Sequence, residues 1–541
     1  MSLTSFPPGS AAPTDVVSQK VWINGAVLSN EVLLSQLTVQ KTFNKIASAR
    51  LVFVDGSAAE RDFALSSGDL FKPGNEIRIG LGYDGDVTTV FEGIIVKHSI
   101  KIGQGGRSLL MVEAKDKAIK LTGARKSAYF SEKTDSDILS ELAGGAGLQT
   151  EIATTAFSHK QMVQFDTTDW DFMLTRAEAN SMLVLTDDGK IVIGKPVAAG
   201  PAVLTALFGS NIMEFEAEMD ARRQLKSVKA DSWSPTNLEL DESSEGTATF
   251  TEPGNITASE LADILAADLQ LTHTGNLGQQ QLQDWADAYA LRSKLSKAVG
   301  RVRVQGSADA KPGVMITLSG VGDRFNGDVW VTGVLHHFDG NWTSDVQFGW
   351  AEGWFYKKEE VMNKPAAGLL PGINGLQVGT VVDTADPEGN YRLKVHVPTI
   401  TGGGDGFWAR VVSPDAGQDR GLYFRPQTGD EVILGFLNDD PREPVVLGCM
   451  HSKDKKALPF RENEEFGVIT KEKVKVLLDD TNKKLTLSVT TSSGDKTIIL
   501  NDSGAMELKD EYGNSIKMEQ SGITIEASAN VTIKGAQVLI N

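Results

Sequence analysis

KVKVLLDD (473–480), KLTLSVTT (484–491), KTIILNDS (496–503), MELKDEY (506–512), SIKMEQS (515–521), ITIEASA (523–529) and VTIKGAQVLI (531–540) decide how this chain is built. Each piece alternates apolar and polar residues with period two, which predicts a short strand. Gly494, Gly504, Gly513 and Gly522 fall at intervals of ten, nine and nine residues. Glycines spaced evenly between short strands mark turns at which the chain steps to its next rung. The segment has no helical period and no second apolar layer, so one copy leaves its alternate apolar residues in water. Three identical chains wound about a common axis would bury them. The expected axis residues are Val474, Val476, Leu485, Leu487, Ile498, Leu500, Ile516, Met518, Ile523, Ile525, Val531 and Ile533.

The chain upstream reads as the base that carries this needle. At 541 residues it exceeds a single core, and three to five domains are expected. The formal net charge of −18 disfavours nucleic acid and anionic membrane as partners. One cysteine, Cys449, excludes an intrachain disulfide and fits assembly in a reducing cytoplasm. The start, MSLTSFPPGS, has neither a basic segment nor an apolar core, so no secretory signal is expected. No run of about 20 apolar residues predicts a membrane span.

Residues 1–18 read as a flexible arm. From 19 to 115, strand patterns such as NEIRIGLGY (75–83) and SLLMVEAKD (108–116) predict a first barrel. Residues 116–225 form an α+β segment. In it Thr134 with Asp137, and Thr168, start helices, and Asp187-Asp188-Gly189 turns a hairpin. Residues 226–362 read as a second barrel with a helical insertion opened by Thr257 and Glu260. It echoes the first: Lys72-Pro73-Gly74 matches Lys311-Pro312-Gly313, and Gly93 matches Gly333. Two similar barrels per chain would give a trimer a ring of six units. A linker at 363–375 leads to a small five-stranded barrel of the OB type at 376–450, and the needle occupies 451–541.

Three segments carry a family likeness. VQFDTTDWDFMLTR (163–176) is one. The second is the OB segment, with W-A-R-V (408–411), P-x-x-G-D-E-V (426–432) and G-F-x-x-x-D-P-R-x-P-V-V-x-G (435–448). The glycine-punctuated tail is the third. Together they resemble VgrG-type spike proteins of contractile injection machines, which combine hub and needle in one polypeptide. The resemblance implies a mainly β fold. Tandem hub barrels with helical insertions lead to an OB-fold collar and a C-terminal triple-stranded, intertwined β-helix formed by a homotrimer. It implies as partners the hexameric inner tube, other baseplate components, a PAAR-like tip protein and the target cell envelope. The compact chain resembles spikes of released, phage-tail-like particles assembled in a bacterial cytoplasm. Val538, Leu539 and Ile540 are the expected docking surface for the tip.

No catalytic, cofactor or metal site is expected. Some hub proteins of this kind carry a lysozyme domain between barrel and needle, but residues 451–465 leave no room for one. No H-E-x-x-H, G-x-S-x-G or G-K-[ST] motif occurs. Gly402-Gly403-Gly404 lacks the lysine of a phosphate loop and reads as a barrel loop. Adjacent His336 and His337 point to opposite faces of a strand. Cys449 reads as a buried thiol without an activating base, and Asp439-Asp440 as a solvated turn. No histidine follows His451, so a histidine metal site in the needle is not expected. Residues 376–450 hold six Lys/Arg against eleven Asp/Glu, which disfavours nucleic acid on the OB barrel. The alternative reading is a trimeric tail fibre that binds a receptor or processes polysaccharide.

Overall fold

The computed structural model describes residues 16–541 except 105–107, 199, 358–360, 362, 457, 459, 503 and 541. The arm expected at 1–18 lies mostly outside this range, and its last two residues already belong to a strand. The chain divides into two compact units, Met1–Asn363 and Lys364–Asn541.

The first unit holds one strand plan twice. The first copy comprises β1 (Val17–Ile23), β2 (Leu34–Thr42), β3 (Ser48–Val54), β4 (Glu76–Tyr83), β5 (Asp86–Ile102) and β6 (Ser108–Lys115). Their alternation sends Leu37, Val39, Leu51, Phe53, Ile77 and Val112 into one buried core. The second copy comprises β7 (Leu204–Leu207), β8 (Ile212–Met219), β9 (Ala298–Gln305), β10 (Met315–Ser319), β11 (Gly327–Phe338) and β12 (Trp342–Phe348). It packs around Val302, Ile316, Val331 and Val346. Neighbours run β2-β3-β6-β5-β4-β1 in the first copy and β8-β9-β12-β11-β10-β7 in the second, with one difference in direction: β1 lies antiparallel to β4, whereas β7 lies parallel to β10.

Two of the irregularities repeat, although the shift between Ile79 and Gly80 in the β4–β5 ladder has no counterpart in β10–β11. The β2–β3 ladder shifts between Leu34 and Gln36, and the β8–β9 ladder between Ile212 and Glu214. The β5–β6 ladder shifts between Ile95 and Lys97, and the β11–β12 ladder between Val331 and Gly333. Gly74 N donates to Ile95 O, and Gly313 N to Val331 O, both at 2.8 Å. Both glycines adopt the positive φ (101° and 95°) that their turns require. A bulge inserts one residue against its partner strand, so coincident bulges fix the alignment residue by residue. That alignment corrects the expected match of Gly93 with Gly333. Ile95 answers to Val331, so Gly93 lies two residues before the matched point and Gly333 two after it. Each glycine meets its own local crowding. A Cβ at Gly93 would lie 2.2 Å from the Lys115 carbonyl oxygen, and one at Gly333 would lie 2.7 Å from Thr42 Oγ1.

Neither copy closes into the expected barrel. The outer edge of β2, which closure of the first copy would use, pairs instead with β11. That antiparallel junction runs from Thr42 opposite Gly333 to Leu37 opposite Phe338, so one sheet passes through both copies. The outer edge of β8 has no partner among the described residues. Strands β7 and β8 also place the start of the second copy ahead of residue 226, the boundary expected.

An α+β module separates the copies. Thr134 and Asp137 form a reciprocal cap on α1 (Asp135–Gly145), and Thr168 caps α2 (Asp169–Ala179). Trp170, Met173, Leu174 and Ala177 of α2 are buried. Beside them the Asp135 carboxylate accepts from Arg176 Nε at 2.7 Å and from Asn180 Nδ2 at 2.9 Å. Burial, the largest single influence, would raise its pKa, but the Arg176 guanidinium together with the Asn180 and His159 side chains holds it at about 2. The hairpin at 183–194 turns through Asp188 and Gly189 as expected, with φ of 56° and 87°. Asp187 and Asp188 then clamp Lys41 Nζ of β2 at 2.8 and 2.9 Å, which ties module to sheet. Further on, Thr257 and Glu260 cap α3 (Ala258–Leu265). Leu282 and Ala286 of α4 (Gln279–Leu295) pack with Val228 and Ala230 of the strand Ser227–Ser234.

The second unit opens with a closed five-stranded barrel. Its strands are β13 (Gln377–Asp383), β14 (Leu393–His396), β15 (Phe407–Val411), β16 (Glu431–Phe436) and β17 (Pro444–Cys449). They enclose Val381, Leu393, Val395, Ala409, Val432, Leu434 and Val446. A seven-stranded sheet follows: β18 (Glu465–Ile469), β19 (Val474–Asp479), β20 (Lys484–Thr491), β21 (Gly494–Leu500), β22 (Met506–Lys509), β23 (Ser515–Glu519) and β24 (Gly522–Glu526).

Candidate functional site

The seven-stranded sheet is an antiparallel meander in which every strand pairs with its sequence neighbours. The four regularly spaced glycines sit at its turns. All have positive φ: 138° at Gly494, 79° at Gly504, 87° at Gly513 and 135° at Gly522. At one turn the Asp510 carboxylate accepts from the backbone N–H groups of Tyr512 and Asn514, both at 2.9 Å.

This register gathers most of the apolar residues on one face, while Ile469, Leu477 and Ile499 lie on the other. One row runs Phe466, Leu478, Leu485, Leu500, Met506, Met518, Ile523, each directly opposite the next. A second runs Val468, Val476, Leu487, Ile498, Leu508, Ile516, Ile525. Val474 lies opposite Val489 beside them. The opposite face carries Lys475, Thr486, Ser488, Thr497, Glu507 and Lys517 among its residues. Apolar side chains stand open along a groove of about 1050 Å³, with Leu487 38%, Ile498 42% and Ile525 56% exposed. A monomer rarely leaves so continuous an apolar surface in water.

Ten of the twelve expected axis residues, from Val474 to Ile525, therefore share one face. The expected list missed Phe466, Val468, Leu478, Val489, Met506 and Leu508, which obey the same alternation and extend the face to the first strand. Val531 and Ile533 differ. Residues 527–540 form no strand, although VTIKGAQVLI has the alternation of one. A strand exists only through its ladder, and Gly522–Glu526 is the last segment of this chain with a partner. The expected tip residues Val538, Leu539 and Ile540 lie in that segment, 49%, 78% and 88% exposed. The intertwined helix expected for the whole needle is likewise not the arrangement at 465–526, where each chain makes its own ladder.

Other candidates fall to ordinary roles. His336 is buried beside Ser344 Oγ at 2.9 Å, while His337 lies outward, 3.3 Å from Asp339. Cys449 is exposed, not buried as expected, because β17 ends there at the barrel rim. Partial burial and the Asp430 carboxylate push its thiol pKa up, which disfavours the thiolate. Asp440 is largely buried rather than solvated, its carboxylate 2.6 Å from Arg442. Gly402-Gly403-Gly404 lies in an exposed barrel loop, as expected. No group of three or more His, Cys, Asp or Glu with metal-binding geometry occurs among the described residues.

Comparison with known proteins gives these parts their relatives. The model for the type VI secretion system/phage-baseplate injector OB domain matches residues 377–451. That for the phage baseplate V C-terminal trimerisation domain matches 488–541. The Alg8 N-terminal domain model matches 13–339, more than half of the chain. The type VI secretion system spike protein VgrG3 of Vibrio cholerae is 35% identical over 86 residues, which is 14% of this chain and 8% of that protein. VgrG2a of Pseudomonas aeruginosa is 38% identical over 98 residues, 17% of this chain and 12% of that protein. The chain thus spans about a tenth of the length of these curated relatives. Among solved structures, the 43 kDa tail protein of prophage MuSo2 from Shewanella oneidensis aligns with a TM-score of 0.47 at 12% identity, over 61% of this chain and 98% of that one. The chain belongs to the family defined by the Alg8 N-terminal domain, and its injector OB domain and baseplate trimerisation domain make it a VgrG-type spike protein of a type VI secretion or phage-tail-like system.

Proposed function

We propose that three copies of this chain form the central spike of a contractile injection baseplate, and that the spike acts mechanically rather than as an enzyme. The observation that carries this reading is the pair of in-register apolar rows on the C-terminal sheet. Only other copies of the same sheet offer a surface of the same pitch and length. Three such faces turned to a common axis bury both rows and leave the charged face in solvent. The result is a stiff prism with few free edges. Residues 527–540, which lack a ladder in one chain, wind with their counterparts below it. There Val531 and Ile533 reach the axis, and Val538, Leu539 and Ile540 present an apolar end to a PAAR-type tip protein.

The hub, with two matched copies per chain, seats on the hexameric inner tube, and sheath contraction drives the spike through the target envelope. Assembly takes place in the bacterial cytoplasm. The test is the mass of the full chain in solution together with its capture by purified tube protein. A trimer that binds tube protein is expected. A monomer, or a trimer that ignores tube protein and binds saccharide, would overturn the reading in favour of a tail fibre.

A further inference from the structure

The matched copies in the hub leave one junction made and its counterpart open. Within a chain, β2 of the first copy pairs with residues 333–338 of β11 in the second. The coincident bulges equate β2 with β8, and β5 with β11. The counterpart of the β2–β11 junction is therefore a β8–β5 junction, and one chain does not make it. Strand β8 pairs only with β9. Residues 97–102 of β5 pair only with β6, after β4 has ended its pairing at Ile94. Each strand thus presents one unpaired edge among the described residues. An unpaired edge is a template for strand addition.

We infer that β5 of one chain adds to β8 of the next through a backbone ladder whose register copies the junction already present. This rests on the trimeric reading above. Transferring Gly333–Thr42 through the matched ladders places Lys97 opposite Asp220. Transferring Phe338–Leu37 places Ile102 opposite Phe215. Between them Lys101 falls opposite Glu216.

The side chains fit this register although the register was derived from backbone alone. Positions equivalent to the buried Leu37 and Val39 hold Phe215 and Ala217, and the facing strand offers Ile102 and Ile100. Those isoleucines are 70% and 48% exposed in the single chain. Positions on the solvent face bring lysines against carboxylates, and Glu216 is 79% exposed. A one-residue slip would send every one of these side chains to the wrong face. Three made and three new junctions then alternate round a closed ring, which removes the open edges of both strands.

A cysteine pair tests the register. In a Cys449→Ser background, Lys101→Cys with Glu216→Cys places two thiols directly opposite. There the Cα separation of about 4.5–5.5 Å suits a disulfide. Oxidation is expected to give a covalent trimer on a non-reducing gel, whereas Lys101→Cys with Ala217→Cys, on opposite faces, is not. A second measurement needs no oxidation. Amide exchange at 97–102 is expected to slow at least tenfold in the trimer, to lose that protection in Lys101→Glu and to regain it with Glu216→Lys added. A species that sediments as a trimer but neither cross-links at 101/216 nor protects 97–102 overturns the junction and leaves the trimer standing. A monomer overturns both.

Discussion

Replacing Ile498 by Asp puts the apolar rows to a quantitative test. Ile498 lies mid-sheet between Leu487 and Leu508 and is 42% exposed in one chain. Complete burial of an isoleucine side chain is worth about 1.5–3 kcal/mol, so covering the open part contributes about 1 kcal/mol per chain, or about 3 kcal/mol for three. The substitution would forfeit that and carry three carboxylates into one apolar layer. Each unpaired, desolvated charge costs several kcal/mol. The total is on the order of 10 kcal/mol per trimer, about seven decades in the association constant at 1.4 kcal/mol per decade. Sedimentation over a concentration series separates the 58.2 kDa chain from its trimer. Ile498→Asp is expected to dissociate at micromolar concentration while keeping its strand content by circular dichroism, because the ladder of β21 is made within the chain. Ser488→Asp, on the polar face opposite Lys475, is expected to stay trimeric. A dissociation constant for Ile498→Asp within tenfold of that of the unsubstituted chain refutes the axial burial of these rows.

Two further outcomes are expected. Burial, and behind it the charge of Lys41, pushes the pKa of His336 down to about 3, from about 6.5 in an unfolded chain. Between those values the unfolded state binds the extra proton, so stability falls as pH drops below about 6.5, by up to about 1.4 kcal/mol per pH unit. Urea unfolding at pH 7 and pH 5 checks this, and His336→Gln is expected to flatten the slope; an unchanged slope counts against the assignment to His336. At the other end of the chain, Leu539→Asp with Ile540→Asp is expected to abolish co-purification of the tip protein at unchanged trimer mass, and retained capping would reject that docking surface.

The C-terminal strands were legible because a period of two declares both a strand and the face on which its apolar residues gather. What alternation does not declare is the partner. VTIKGAQVLI has the pattern of a strand and forms none, because no other described segment of the chain pairs with it. The same blindness affected the hub. The Lys-Pro-Gly turns announced a duplication, since a turn is encoded within a few residues. Whether β2 closes its own copy or joins β11 depends on an edge almost 300 residues away, which local patterns do not reach. The chain from Gly74 to Ile95 is three residues longer than that from Gly313 to Val331, which explains why a glycine count gave a false match, since a hairpin can lengthen without leaving a mark in composition. Cys449 was misplaced for a simpler reason. An apolar neighbourhood in sequence says little about burial at the last residue of a strand.

The self-contained ladder of residues 465–526 also bears on how such a needle comes to be made. In a meander each segment meets the one just synthesised, so contacts are short in sequence and form quickly. A needle whose strands alternated between chains from the start would need three polypeptides to wind together before any of them gained a stable contact. Here each ribosome can release a finished panel, and on the trimeric reading proposed above the panels meet as preformed surfaces. The hazard moves accordingly, from topological tangling to the interval in which a sticky panel is still alone, so the local concentration of nascent chains becomes the variable that decides yield.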